Sequence, residues 1–264
     1  MKPRQSPLLA PLLVTGVVVT AVLAPWLAPC DPLAQDLARN LEGPSLAHPL
    51  GLDKLGRDVL SRMIHGARAS VEVGLLSVAV SLLIGVAAGA AAGLGGKRAD
   101  LAISSLVDVL MAFPGMLLAI AVSAALGPGL TNTIIALAVI GWTGYARFVR
   151  GEVLRLRDRE HVEAARALGL GKLTIFRRHI FPLLLAPLIV QTTFAIAGAI
   201  VAEAGLSFLG LGIQPPSPSW GSMLNEGRSF LMVAPHLTVF PGLAVTFTVL
   251  ALNSLGDSLG DGYR

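Results

Sequence analysis

The chain has 264 residues, of which 54% are hydrophobic and 14% charged, with a net charge of +4 and a mean hydropathy of +0.72. An ordinary soluble domain carries about 25% charged residues, so this composition excludes a disordered chain and holds more apolar side chains than one water-soluble core could hide. Aromatic residues at 5% argue against a nucleic-acid stacking platform, and the basic balance fits the cytoplasmic loops of a membrane protein.

Charge-free runs locate the membrane spans, each of which needs about 20 mostly apolar residues. The first, from Gln5 to Cys30, is 26 residues long and predicts a helix near 8–28. It is long for a secretory signal core, and Pro29 disfavours processing at Cys30. Cys30 is the single cysteine, which excludes an internal disulfide and a cysteine-cluster metal site. In the outer loop 29–70, the stretch 55–71 is amphipathic: Val59, Leu60, Met63, Ile64 and Ala67 recur at helical spacing opposite Arg57, Asp58, Arg62 and Arg68. This predicts an outer helix lying in the interface or against the bundle.

The run Val73 to Gly96 gives a second span, near 71–94. Its Gly85, Gly89 and Gly93 share one face, where small residues let another helix approach, either within the chain or from a second subunit. The 38-residue run Val109 to Ala146 is broken by Gly127-Pro128-Gly129, predicting spans near 101–125 and 131–149. Pro114 should kink or break the first of these, because it removes a backbone donor. A fifth span is expected near 183–209 and a sixth near 235–256, separated by an outer loop, 210–234, that is rich in Gly and Pro. Trp220 in that loop is read as an interfacial anchor. The whole chain is thus expected to form one all-α transmembrane domain, 1–264, of six helices.

Lysine and arginine set the orientation. With both termini inside, the inner segments hold 14 of these residues and the outer segments six, which favours N-in, C-in. Nine of the 14 crowd into 147–178, the longest inner segment. There Glu163 to Leu168 uses strong helix formers, Gly169-Leu170-Gly171 interrupts them, and Leu173 to Ile180 resumes an amphipathic pattern before Pro182. The pattern predicts two short helices joined at a glycine bend, a knob suited to a groove on a soluble partner. Gly169-Leu170-Gly171-Lys172-Leu173 is not a phosphate loop, since Arg166 and Leu173 stand where glycine and Ser or Thr are required.

Glu163-Ala164-Ala165 with Gly169, Ile180 and Pro182 resembles the EAA loop of permease subunits in ATP-binding-cassette importers. Phe181 departs from the leucine usual there. His48-Pro49-Leu50-Gly51, Asp53 and Gly56-Arg57-Asp58-Val59-Leu60-Ser61-Arg62 resemble the start of the second permease of dipeptide, oligopeptide and nickel importers. So do Leu206 to Gly212, Pro215-Pro216, Pro218, Trp220-Gly221, Pro241-Gly242-Leu243 and Leu255-Gly256-Asp257. The resemblance covers about 48–257. It implies a type I importer permease fold with a cytoplasmic coupling helix, in the bacterial cytoplasmic membrane. The implied partners are a homologous second permease, two ATPases at the 150–182 loop and an extracytoplasmic substrate-binding protein. ATP and Mg would be bound by the ATPases and no cofactor by this chain. By the same resemblance Glu163, Ala164 and Ala165 face the ATPase, Gly169 makes the bend, and Lys172 flanks the contact. The expected cargo is di- or oligopeptides, with nickel or another small solute as the alternative.

Two acids fall within the spans, Asp108 and Glu203, and an intramembrane carboxylate is costly unless solvated or paired. Each is a candidate for the water-lined pathway, where it would receive a peptide ammonium; the alternative is pairing that supports packing. The five histidines show no i, i+4 pair, so no metal site is proposed. A self-contained secondary transporter would need inverted repeats, which the hydropathy lacks. An intramembrane enzyme would need a nucleophile or zinc signature, and neither Gly-x-Ser-x-Gly nor His-Glu-x-x-His occurs.

Overall fold

The computed structural model describes residues 9–262, so Lys2, Arg4 and Arg264, which enter the orientation count, lie outside it. Among the described residues the chain is helical, with one isolated bridge, Leu52 to Asp58, in the outer loop. The first span is α1 (Leu9–Val22), continued by a short turn, α2 (Ala24–Leu27), that opens on Pro25.

The amphipathic outer segment is not a helix of its own. Residues 59–71 are the first turns of α3 (Val59–Gly95), which runs unbroken into the second span over 37 residues. Nothing between Ser70 and Val73 terminates a helix, and Asp58 caps its start, its carboxylate accepting from the Ser61 amide at 2.7 Å. The third span is two helices, α4 (Lys97–Met111) and α5 (Gly115–Leu126), bent by 88°. Pro114 sits at the break and offers no donor to the preceding turn.

α6 (Leu130–Leu156) extends past the expected end at 149, carrying the span into the charged loop. α9 (Phe181–Phe208) and α11 (His236–Gly262) complete the set, and the outer loop between them folds into α10 (Trp220–Gly227). A capping box closes the start of α10, Ser219 and Ser222 each bonding the other's backbone amide. By length and composition three helices among the described residues are fit to cross a membrane, or four if the bent α4–α5 pair counts as one span.

α3 is the axis of the fold, packed along α6. A Cβ at Gly85 would stand 2.4 Å from Tyr145 Cβ, at Gly89 2.6 Å from the Ala146 carbonyl, and at Gly93 2.5 Å from Val153 Cγ1. The glycine stripe is therefore an intrachain contact with α6. In lipid, where apolar side chains gain little from meeting each other, such close backbone approach is what makes two helices adhere. Trp220, expected at the interface, is instead buried: its indole donates to the Met63 carbonyl at 3.1 Å and the ring packs over Gly66 of α3.

Candidate functional site: an inner knob, an outer clamp and two intramembrane acids

The knob expected on the inner side is α7 (Glu160–Ala167) followed by α8 (Lys172–Ile175). A helix of eight residues is marginal alone, and three features hold it. Glu160 and Glu163 lie in its first turn and Arg166 in its last, each sign opposing the helix dipole. Val162 and Ala165 are buried with Val153, Leu156, Phe176 and Ile180. Gly169 ends it at φ +80°, with the Gly169 amide donating to the Arg166 carbonyl at 3.0 Å and the Leu170 amide to the Ala165 carbonyl at 3.2 Å. Those paired bonds are a Schellman cap, which requires the left-handed conformation at Gly169.

What this fixes is the outward face. Glu163, Ala164, Gly169 and Lys172 are exposed, while Ala165 points inward. Leu168 is 83% and Leu173 69% exposed, so the tip of the knob is apolar and rimmed by charge. An exposed apolar tip with a polar rim is the composition of a protein contact. Of the five residues expected at the coupling contact, four lie on the exposed surface of the knob and Ala165 is buried.

Behind the knob, Phe176–Ile180 forms a single wide π turn, closed by the Phe181 amide donating to the Phe176 carbonyl. Pro182 cannot donate to the carbonyl four residues earlier, and its ring needs the room that the wider turn gives. The turn joins the knob directly to α9.

At the opposite end, the run from His48 to Arg62 builds a clamp. Arg57 donates to Asp53 at 2.7 Å and to Glu226 of α10 at 2.6 Å. Arg62, 1% exposed, donates to Asp53 and to Glu226, the latter at 3.0 and 3.2 Å. Burial disfavours the charged form of Asp53, but Arg62, the Arg57 and Leu55 amides and the Arg57 guanidinium outweigh it and hold the carboxyl below its usual range. Asp58 receives the Ser61 hydroxyl at 2.7 Å and faces His48 Nδ1 at 2.9 Å. Gly56, at φ +71°, passes so close to the Asp36 carbonyl that a Cβ would lie 1.8 Å from it. No periodicity in the sequence could link Glu226 to Arg62, 164 residues away.

The two intramembrane acids differ. Asp108 on α4 is exposed and pairs with Arg147 of α6 at 2.5 Å. Glu203 on α9 is fully buried, accepting from the Ser70 hydroxyl at 2.9 Å and the Ser207 hydroxyl at 2.7 Å. Ser207 in turn accepts from the Ile213 amide at 3.0 Å, so this carboxylate joins α3, α9 and the start of the outer loop. Between α3, α5, α6 and α9 lies a cavity of about 300 Å³, bordered by Ser77, Ser81, Met116 and Tyr145. Among the described residues no three His, Cys, Asp or Glu side chains converge as for a metal.

Residues 82–262 match the family described as binding-protein-dependent transport system inner membrane component. The glutathione transport system permease protein GsiD of Pectobacterium atrosepticum is 46% identical over 253 residues, 96% of this chain and 84% of that protein. The di/tripeptide transport system permease protein DppC of Pseudomonas aeruginosa is 44% identical over 251 residues, covering 93% and 83%. The dipeptide transport system permease protein DppC of Alkalihalophilus pseudofirmus is 40% identical over 261 residues, covering 99% and 86%. Among solved structures, an inward-facing form of the MetNI methionine ABC transporter superposes with a TM-score of 0.63 at 18% identity, over 76% of this chain and 96% of that one. At that identity the likeness concerns the fold.

Proposed function

The chain belongs to the binding-protein-dependent transport system inner membrane component family, as a permease subunit of an ATP-binding-cassette importer with the type I fold, and we propose that its cargo is short peptides. It is a membrane transport subunit and not the ATPase; an importer of this family works with ATPase and binding-protein partners. The cargo reading is carried by one observation: the relatives named for glutathione, dipeptides and di/tripeptides match at 40–46% identity along nearly all of the chain.

The proposed assembly has a homologous second permease, two ATPases that bind ATP and Mg, and a binding protein outside. The proposed topology is six crossings, with both termini in the cytoplasm and the knob facing the ATPase. ATPase closure would push on Glu163, Ala164 and the exposed Leu168 and Leu173, while Gly169 keeps the tip rigid. Force would pass through the π turn into α9, which borders the 300 Å³ cavity. Asp108 has the exposure that a pathway group needs. The oxygens of Glu203 are taken up by Ser70 and Ser207, which supports a role in holding α3 to α9.

The test uses the whole importer in proteoliposomes with its binding protein. Loading that protein with a dipeptide should stimulate ATP hydrolysis, and nickel should not. Glu163→Arg should reduce uptake at least about tenfold and weaken ATPase retention, as for a like-charge clash placed at a docking surface. Stimulation by nickel alone would reassign the cargo, and normal uptake by Glu163→Arg would remove the knob from the coupling contact.

A further inference from the structure

A groove of about 840 Å³ runs between the inner halves of α3 and α9, outside the interior cavity. Its walls are apolar, including Leu83, Ala87 and Leu94 of α3 and Leu185 and Ile189 of α9. Those α3 residues share a face turned away from both the glycine stripe against α6 and Ser77 and Ser81 at the cavity. Leu83 is 72% exposed and Ile189 46%, so no helix among the described residues covers the opening.

One end of the groove is closed by Lys172 and Arg177, beside Phe176. Among the described residues the ion pairs on this side of the molecule are Arg147–Asp108, Arg150–Asp100, Arg155–Glu152 and Arg157–Asp158, and none includes either cation. The groove therefore has hydrocarbon walls along its length and two unneutralised cations at the level of the inner headgroups. An apolar helix from another subunit would fill the walls but bring no counter-charge to the two cations, of which Lys172 also flanks the proposed ATPase contact. A phospholipid with an anionic headgroup matches both parts, and basic pockets between transmembrane helices on the cytoplasmic side are suited to such headgroups.

We propose that this groove binds an anionic phospholipid of the inner leaflet, its acyl chain along α3 and α9 and its phosphate between Lys172 and Arg177. The inference rests on the reading that the knob faces the cytoplasm. Lipid in this position would brace Phe176 and Leu173 at the root of the knob, making coupling depend on headgroup charge.

The intact importer is purified with its partner subunits and placed in phosphatidylcholine nanodiscs carrying a photoactivatable phosphatidylglycerol or a photoactivatable phosphatidylcholine. The glycerol probe should label peptides from 82–95 and 172–189 and the choline probe should not. Arg177→Gln, at an exposed position that leaves packing intact, should cut that labelling about tenfold, the loss of one charged hydrogen bond. Ala87→Trp, which fills the groove, should cut it as well; if that variant fails to assemble, Arg177→Gln decides alone. Equal labelling by both probes, or full labelling of Arg177→Gln, overturns the proposal. A photocrosslinker at Leu83 that captures the second permease instead of lipid also overturns it, making the groove a subunit contact.

Discussion

Arg57, Arg62, Asp53 and Glu226 carry two positive and two negative charges, with all but the half-buried Glu226 out of solvent, so the group is neutral only as a whole. Removing one member leaves a unit charge uncompensated, which costs about 3–5 kcal/mol for buried pairs. Arg62→Met should therefore destabilise the outer region strongly. Adding Glu226→Leu restores neutrality around the remaining Arg57–Asp53 pair, and the double variant should recover part of the loss. Thermal unfolding of the purified importer, read in a double-mutant cycle, measures this; strict additivity of the two changes would refute the clamp. Acid should act on the same group. Asp53 titrates lower folded than unfolded, so its contribution is full above the unfolded carboxylate value of about 4 and disappears as pH falls through the folded one. Hydrogen-exchange protection of residues 52–62, corrected for the intrinsic pH dependence of exchange, should fall on that descent in the wild type and fall less in Asp53→Asn. The sequence showed these side chains as a motif and gave its location, but their meaning required Glu226, which only the folded chain brings near.

At the level of helices, much was legible because it depends on local chemistry. The bend at Gly169, the break at Pro114 and the extent of α9 follow from residue types that disturb a backbone wherever they stand. Gly169 has open space around its missing Cβ, so Gly169→Ala should cost only the left-handed backbone penalty of about 1–2 kcal/mol. That loss should fray α7 and lower coupled ATP hydrolysis while assembly of the importer stays intact. Gly89 is the opposite case, with Val149 Cβ and the Ala146 carbonyl less than 3 Å from any added carbon. Gly89→Leu must push α3 off α6, and should abolish recovery of folded protein from membranes, with Gly89→Ala intermediate. Wild-type yields for Gly89→Leu would contradict the packing described. The fusion of the outer amphipathic segment into α3 has a local cause, since no residue between Ser70 and Val73 breaks a helix. The burial of Trp220 was not legible, because it depends on α10 folding back onto α3, a contact between segments about 157 residues apart.

For the whole molecule, the question is which side each end faces. Lysine and arginine give 14 inside and six outside, yet Arg57 and Arg62 of those six are neutralised by Asp53 and Glu226. The rule counts lysine and arginine themselves and not net charge, so the 14 against six stands as the basis for the proposed orientation. In the proposed orientation the clamp would lie outside, at the end of the molecule away from the knob, with the 300 Å³ cavity between them. The chain carries its own reporter for that arrangement, since Cys30 is its single cysteine, is exposed, and lies beside the start of α3, its amide donating to the Ser61 hydroxyl at 3.1 Å. A membrane-impermeant maleimide added to spheroplasts should modify Cys30 before the membrane is permeabilised. Moving the thiol to the knob, with Cys30→Ser and Gly171→Cys together, should reverse the result, because Gly171 is exposed with open space around it. Labelling of both proteins only after permeabilisation, or of the knob thiol from outside, would contradict N-in, C-in. It would also remove the knob from the ATPase, and with it the route by which ATP closure reaches α9.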